Sequence, residues 1–377
     1  MWRNRLAQID LQEMKELGKR IHRVISSMDE YREPGRYTLE LEDLKIGFGE
    51  SYPIKATEKF LGYYDPSVNI AFNPSVSFST DFSKCTAFCT YRKNRGKDRV
   101  FFNGHESEKY TARSAKALRA LREMFRIDGH FIFLVGIKRR YREAKGFSES
   151  SAVAAAVARA LVSCIFEEGA VTDHEFVSTL ARLVSGSGTR AVFDGFSIWE
   201  SYAGISPGLS CAHPLKVDYR KLNFFAVPSA GFLPTENAHK LAVESPFYSS
   251  WVREKITAME SYLDPVPDIE TLLKRGMDDS FHLHSILMSQ SMPVFSERTF
   301  EVLKKIREFS AKNEGIRILM DTGPSVVVTS TDKTLLQEFR EFLGMRVLAG
   351  SVPGKARMKP LQRSLYIAHE TFDTIRE

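Results

Sequence analysis

Lys59-Phe60-Leu61-Gly62-Tyr63-Tyr64-Asp65, followed closely by Asn69-Ile70-Ala71-Phe72-Asn73-Pro74-Ser75-Val76-Ser77, is the stretch on which the reading of this chain turns. It sets a lysine and a glycine turn ahead of an alternating, serine-bearing run of strand type. Two later segments share its chemistry: Ser185-Gly186-Ser187-Gly188-Thr189-Arg190 and Met320-Asp321-Thr322-Gly323-Pro324-Ser325. Taken singly, each reads as a turn with a charged neighbour. Hydroxyls and flexible glycines beside a basic residue also suit a close wrap around anionic oxygens.

Outward from these stretches the chain reads as mixed helix and strand. Residues 5–30 form an amphipathic helix pattern, with Met14, Leu17, Ile21, Val24, Ile25 and Met28 at helical spacing. Residues 52–100 are mostly β-patterned. Helices are expected over 113–124, over the Ala-rich 150–161 with Ser148 or Ser150 as N-cap, and over 173–183. The last 130 or so residues carry helices near 244–262, 267–275, 279–289, 298–312 and 332–343, with strands at 316–320 and 325–329 between the last two. The change from β-rich to helix-rich near residue 230 predicts an α+β protein of two lobes.

Composition agrees. A chain of 377 residues suggests about two domains, and 43% hydrophobic with 27% charged residues is a globular profile. No apolar run approaches the ~20 residues of a membrane span, and the N-terminus lacks a signal-peptide core, so a cytoplasmic protein is expected. The four cysteines are expected to be buried thiols, and no metal-ligand spacing appears. The net charge of +6 is modest. Its densest run is Ile137-Lys138-Arg139-Arg140-Tyr141-Arg142-Glu143-Ala144-Lys145, which in isolation reads as a solvated loop.

Together the segments resemble the GHMP kinase superfamily, and within it the mevalonate diphosphate decarboxylases. Those enzymes carry a Lys-Tyr-Trp-Gly-Lys-Arg-Asp segment and then Asn-Leu-Pro-Leu-Asn-Asp-Ser-Leu-Ser; here Lys59, Gly62, Asp65, Asn69, Asn73, Ser75 and Ser77 keep their places. Their Gly-Ser-Gly-Ser-Ala-Cys-Arg-Ser-Leu-Phe-Gly-Gly is similar to residues 184–195, with Arg190 retained, and their Phe-Asp-Ala-Gly-Pro-Asn to residues 320–325, with Asp321 retained. Weaker matches at 98–104, 245–251 and 279–282 keep the order collinear over roughly residues 53–345. The resemblance implies a two-lobed GHMP kinase-like fold with an N-terminal helical extension (1–50), an α/β lobe (51–228) and a C-terminal α+β lobe (229–377).

The departures bear on function. The superfamily's Pro-x-x-x-Gly-Leu-x-Ser-Ser-Ala loop cradles ATP phosphates at a helix N-terminus. Here it reads Lys145-Gly146-Phe147-Ser148-Glu149-Ser150-Ser151-Ala152, without the proline and with Glu149 where a carboxylate would repel a polyphosphate. The family's second lysine is Tyr63, and the serine before Thr235 is Pro234, both at its substrate-diphosphate contacts. Decarboxylase residues kept beside a degraded ATP loop resemble the archaeal mevalonate 3,5-bisphosphate decarboxylases. That resemblance implies a carbon–carbon lyase that expels phosphate and CO2 from mevalonate 3,5-bisphosphate, giving isopentenyl phosphate with no cofactor. ATP and Mg2+ enter only if the chain is instead an ordinary diphosphomevalonate decarboxylase or a small-molecule kinase.

Under that reading Asp321, Lys59 and Arg190 are the catalytic candidates. Tyr63, Ser185, Gly186, Ser187, Ser150 and Ser151 are expected to contact substrate. Lys138, Arg139, Arg140 and Lys145 are assigned to the 3-phosphate in place of the lost nucleotide loop. A guanidinium grips a carboxylate or phosphate by two parallel bonds. With the 3-oxygen already phosphorylated, Asp321 has no hydroxyl proton to take, and acts on its basic neighbours or on developing positive charge. His239 and His282 are read as polar helix positions without a role. A homodimer is the default for a soluble oligomer. Nucleic acid is excluded as a partner by the lack of aromatic–basic interleaving.

Overall fold

The computed structural model describes residues 9–144, 147–229, 235–263 and 266–375. The first element is α1 (Leu11–Ser26), shorter than its apolar pattern predicts. Asp10 caps it by accepting from the N–H groups of Gln12 and Glu13, and the Ser27 hydroxyl turns back onto the Val24 carbonyl. Strands β1 (Ile46–Ser51), β2 (Ile54–Glu58), β3 (Tyr63–Asp65), β4 (Ile70–Ala71), β5 (Ser75–Ser79), β6 (Ser83–Arg92), β7 (Arg99–Phe102) and β8 (His105–Glu106) follow. Next come α2 (Glu108–Phe125), β9 (His130–Arg139), α3 (Glu149–Ile165), α4 (Glu168–Thr172), α5 (His174–Val184) and α6 (Gly188–Ala191). The remainder is β10 (Phe196–Trp199), β11 (Ala212–Leu215), β12 (Asn223–Val227), α7 (Thr235–Ala242), α8 (Tyr248–Tyr262), α9 (Ile269–Ser289), α10 (Glu297–Ser310), β13 (Arg317–Met320), β14 (Val326–Ser330), α11 (Lys333–Leu343), β15 (Leu348–Gly350) and α12 (Gln362–Thr374).

These strands make a five-stranded sheet in the order β1-β6-β9-β7-β8, four-stranded sheets β11-β10-β5-β2 and β13-β14-β12-β15, and the ribbon β3-β4. The Ala-rich α3 is buried on nearly every side and packs on β1 and β6. A helix apolar all round belongs inside a core, and its small side chains permit the close approach. Cys85 and Cys89 share the buried face of β6, and all four cysteines are buried and free.

Two expectations are corrected, and one unread segment finds its place. Ile269–Ser289 is one helix, not two. Gly276, in the gap between the two expected helices, lies where a Cβ would come within 3.1 Å of the Thr57 main chain and 2.5 Å of Leu319 Cδ2, so it is a contact point of α9 on β2 and β13. The basic run is not a solvated loop: β9 extends through Arg139, paired to Ser83 of β6. The C-terminal chain, unread in the sequence, returns to the β1-β6-β9 sheet. Its α12 covers Phe48, Phe88 and Ile132 with Ala368 and Phe372, and Arg92 Nη2 donates to the Phe372 carbonyl at 2.6 Å.

The N-terminal helix extends the core. Met14, Leu17, Ile21 and Ile25 are buried in the largest apolar cluster, and α1 packs on α8. His22 Nδ1 lies 2.6 Å from the buried Glu200 carboxylate, and Arg253 Nε reaches Glu13 at 2.5 Å.

Candidate active site

Strand β2 is the edge of its sheet; it carries Lys55, and Lys59 follows its last residue. A bulge between Ala56 and Glu58 interrupts the alternation of the strand before Lys59. Lys55 Nζ pairs with Asp321 Oδ2 at 2.7 Å, just past the end of β13. The lysine side chain is 6% exposed and the aspartate 33%, so the pair is reachable from the aspartate end. Burial works to raise the Asp321 pKa, but Lys55 and Lys59, with Arg190 behind them, outweigh it and hold the carboxyl below its ordinary value.

Lys59 is buried. Its ammonium donates to Ser280 Oγ at 3.1 Å and to the Thr57 carbonyl at 3.4 Å, and stands 3.8 Å from Asp279 Oδ2. Burial pushes its pKa down to about 8, against the pull of Asp279 and Asp321. Arg190, from α6, is also buried. It donates to the Val76 carbonyl at 3.3 Å, stands over the Phe60 ring at 5.7 Å, and feels the charge of Asp321. Burial lowers its pKa to about 9. Its Nε–H has no hydrogen-bond partner among the described residues, nor have the hydroxyls of Ser75 and Ser77. Buried donors are rarely left so. An anionic ligand would satisfy them.

The wall beside Arg190 is aromatic and neutral. Phe60 stacks on His239 with centroids 5.0 Å apart, and Tyr63 lies 4.7 Å from the same imidazole. His239 Nδ1 accepts from Gly62 N–H at 3.0 Å, and burial drives its pKa to about 4. His239 is therefore a buried part of this wall and not a polar helix position; His282 is half-exposed near Glu254. Gly186 has no side chain because a Cβ there would meet Tyr63 Oη at 2.9 Å. Ser185 and Ser187 bond each other at 3.1 Å.

Behind Lys59 lies an ion cluster that sequence reading missed. Lys255 of α8 pairs with Asp279 Oδ1 at 2.5 Å and with Glu58 Oε2 at 3.4 Å, and donates to the Lys59 carbonyl. Arg275 Nε and the Tyr262 hydroxyl reach Glu58 Oε1 at 3.4 and 3.0 Å. Lys55 was also missed. Its signal was present: a lysine inside a buried strand pattern, four residues before Lys59.

The basic run does not join this cluster. The Arg139 fork holds Glu149 at 2.5 and 2.8 Å, Arg140 pairs with Asp81, and Glu143 takes Arg346 at 2.5 Å. Arg139 and Arg140, expected at a phosphate, each face a carboxylate of their own. Lys138 is exposed on β9. Lys145, Gly146 and Pro234 lie outside the described residues. Ser148 is the N-cap of α3, with φ 52° and no side-chain capping bond. Ser150 is partly exposed, while the buried Ser151 hydroxyl donates to the Ser148 carbonyl at 2.7 Å. Phe147 is buried against Phe82, with ring centroids 5.1 Å apart. Glu149 does not stand as an unpaired repulsive charge. It occupies the first turn of α3, where the helix dipole favours an anion.

Residues 51–209 match the family model described as the diphosphomevalonate decarboxylase-like N-terminal domain. The chain is 43% identical over 366 residues to mevalonate 3,5-bisphosphate decarboxylase of Thermoplasma acidophilum, covering 97% of this chain and 90% of that one. It is 39% identical over 364 residues to the protein of the same name from Thermoplasma volcanium, at 97% and 98% coverage. The mevalonate diphosphate decarboxylase structure from Enterococcus faecalis superposes with a TM-score of 0.71 at 21% identity, over 82% of this chain and 98% of that one, a likeness of fold. Among the described residues, no helix is long and apolar enough to cross a membrane.

Proposed function

For a chain that belongs to the mevalonate 3,5-bisphosphate decarboxylase family, we propose that Lys55, Lys59, Arg190 and Asp321 carry out the elimination without a nucleotide. The enzyme is a decarboxylase, a carbon–carbon lyase acting on a phosphorylated mevalonate derivative. In mevalonate 3,5-bisphosphate the bond from the tertiary carbon to the 3-phosphate oxygen breaks, and its electron pair leaves with phosphate. The bond to the carboxylate then supplies the pair of the new double bond. CO2 departs, leaving isopentenyl phosphate.

The site suits that charge flow. Negative charge grows on the leaving phosphate, where Lys59 and Arg190 offer buried, preorganised donors. Positive charge grows on the tertiary carbon, where the Asp321 carboxylate is kept ionised by Lys55. Neither basic group requires a proton transfer, because the phosphate is already in place. The neutral wall of Phe60, Tyr63 and His239 excludes water from the developing cation.

What carries the nucleotide-free reading is Glu149. In the first turn of α3, where a phosphate-cradling helix would present its N–H groups, the chain places its own carboxylate clamped by Arg139. Protein freed of nucleotide and treated with EDTA is expected to convert mevalonate 3,5-bisphosphate at an undiminished rate. Product from diphosphomevalonate only with ATP and Mg2+ overturns the proposal.

The pH profile follows from Lys59. With its pKa near 8, its cation is present below that pH and lost above it. Because kcat/KM reports the free enzyme, it is expected to fall as pH rises through about 8. A profile flat to pH 9.5 would show that the Lys59 charge is not needed. We assign a homodimer as the assembly to test by sedimentation.

A further inference from the structure

Two neighbouring residues of α9 touch Lys59, and one of them also holds the main chain next to Asp321. The Ser280 hydroxyl accepts from Lys59 Nζ at 3.1 Å and from the Met320 N–H at 3.0 Å, and donates to the Gly276 carbonyl at 2.6 Å. A hydroxyl has one donor and two acceptor positions, so all three are filled. Met320 is the residue before Asp321, so one oxygen ties the Lys59 ammonium to the peptide that carries the carboxylate. Asp279 Oδ2 accepts the Lys59 N–H at 2.8 Å while Oδ1 is held by Lys255. On the other side, Asn73 Nδ2 and Lys255 donate to the Lys59 carbonyl. The Lys59 main chain is thus bound at both its polar groups.

These contacts matter because Lys59 and Asp321 come from different sheets. Lys59 follows β2 and Asp321 follows β13. α9 lies against both strands and approaches them closely at Gly276, one turn before Ser280. Nothing in either sheet's own ladder sets the spacing between the two groups. Beside the direct Lys55–Asp321 pair, the helix ties the Lys59 ammonium to the end of β13 through one side chain.

We propose that Ser280 is a positioning residue, which sets the Lys59 ammonium against the Asp321 carboxylate across the junction of the two sheets. It touches no reacting atom. This rests on the assignment of Lys59 and Asp321 as catalytic.

Ser280→Ala removes the acceptor of both bonds. A displacement of about 1 Å at such a site costs up to about 100-fold; we expect kcat to fall about 10- to 100-fold with KM within about twofold. Losing an acceptor disfavours the charged amine, so the basic limb of kcat/KM should move below its wild-type position. Ser280→Thr keeps the hydroxyl and should restore the limb. A purely structural role predicts activity lost in proportion to the unfolded fraction, with the limb unmoved, and that result overturns the proposal. Should the alanine variant not fold, Ser280→Cys, nearly isosteric and a weak acceptor, is read the same way. Lys59→Met separates the two levels. If it retains full activity, the catalytic assignment fails. If it is inactive while Ser280→Ala behaves as wild type, the positioning role alone fails.

Discussion

Asp321→Asn is expected to lower kcat for mevalonate 3,5-bisphosphate by about three orders of magnitude, while KM stays level or falls. The size follows from what is removed. One preorganised charge aimed at a developing opposite charge contributes about 10²–10³ in rate, and here the Lys55 partner at 2.7 Å is left uncompensated as well. The direction of KM is the sharper part. The substrate is a polyanion, and Asp321 is the acidic group on the open side of the cluster. Deleting its charge removes repulsion in the ground state and stabilisation in the transition state. A drop in kcat with a level or lower KM is the signature of a group that opposes binding and assists reaction. A rise in KM with unchanged kcat would make Asp321 a binding residue. Activity within tenfold of wild type would remove it from the mechanism.

Arg190→Met is expected to cost about 10²–10³ in kcat/KM without lowering the thermal unfolding midpoint. The guanidinium is buried, has one long hydrogen bond to the Val76 carbonyl, and leaves Nε–H without a partner among the described residues. In the free protein that is a desolvated cation with incomplete compensation, which an apolar side chain of similar length relieves. In the complex the same cation meets phosphate or carboxylate oxygens, and losing a buried charged contact costs about 3–5 kcal/mol. Activity and stability therefore move apart, as expected where a site stores strain for its ligand. Kinetics and a thermal melt on the same preparation check both halves. A melt lowered by several degrees with activity reduced in proportion would make Arg190 structural. Arg190→Lys keeps the charge but not the planar fork, and should recover only part of the loss.

Much of this was legible in local pattern. The apolar periodicity located α1, α5, α10 and α11, because amphipathic spacing is a property of neighbours along the chain, and alanine content located α3. Lys59, Arg190 and Asp321 were found because each stands in a short segment of turn and hydroxyl residues whose order survives divergence. Local reading failed where the meaning of a residue depends on what lies across the fold. Gly276 lies in the gap between two expected helices and is a packing contact. Glu149 reads as a repulsive charge and is held by Arg139, ten residues earlier on β9. His239 reads as a polar helix position without a role and is buried, stacked on Phe60. The carboxylates that Arg139 and Arg140 meet, 10 and 59 positions away in sequence, were likewise not legible locally.

The amino-acid sequence by itself determined the family, the mixed architecture and three of the charged groups at the centre. Side-chain type and short spacing are enough for those. Tertiary structure alone decided which charges are available to a ligand. It paired Lys55 with Asp321, gathered Lys255, Glu58, Arg275 and Asp279 into a compensated cluster behind Lys59, and left the Arg190 Nε–H unmatched. The physical reason is that the effect of a charge depends on its burial and its nearest opposite charge. In this chain those partners lie tens to hundreds of residues apart.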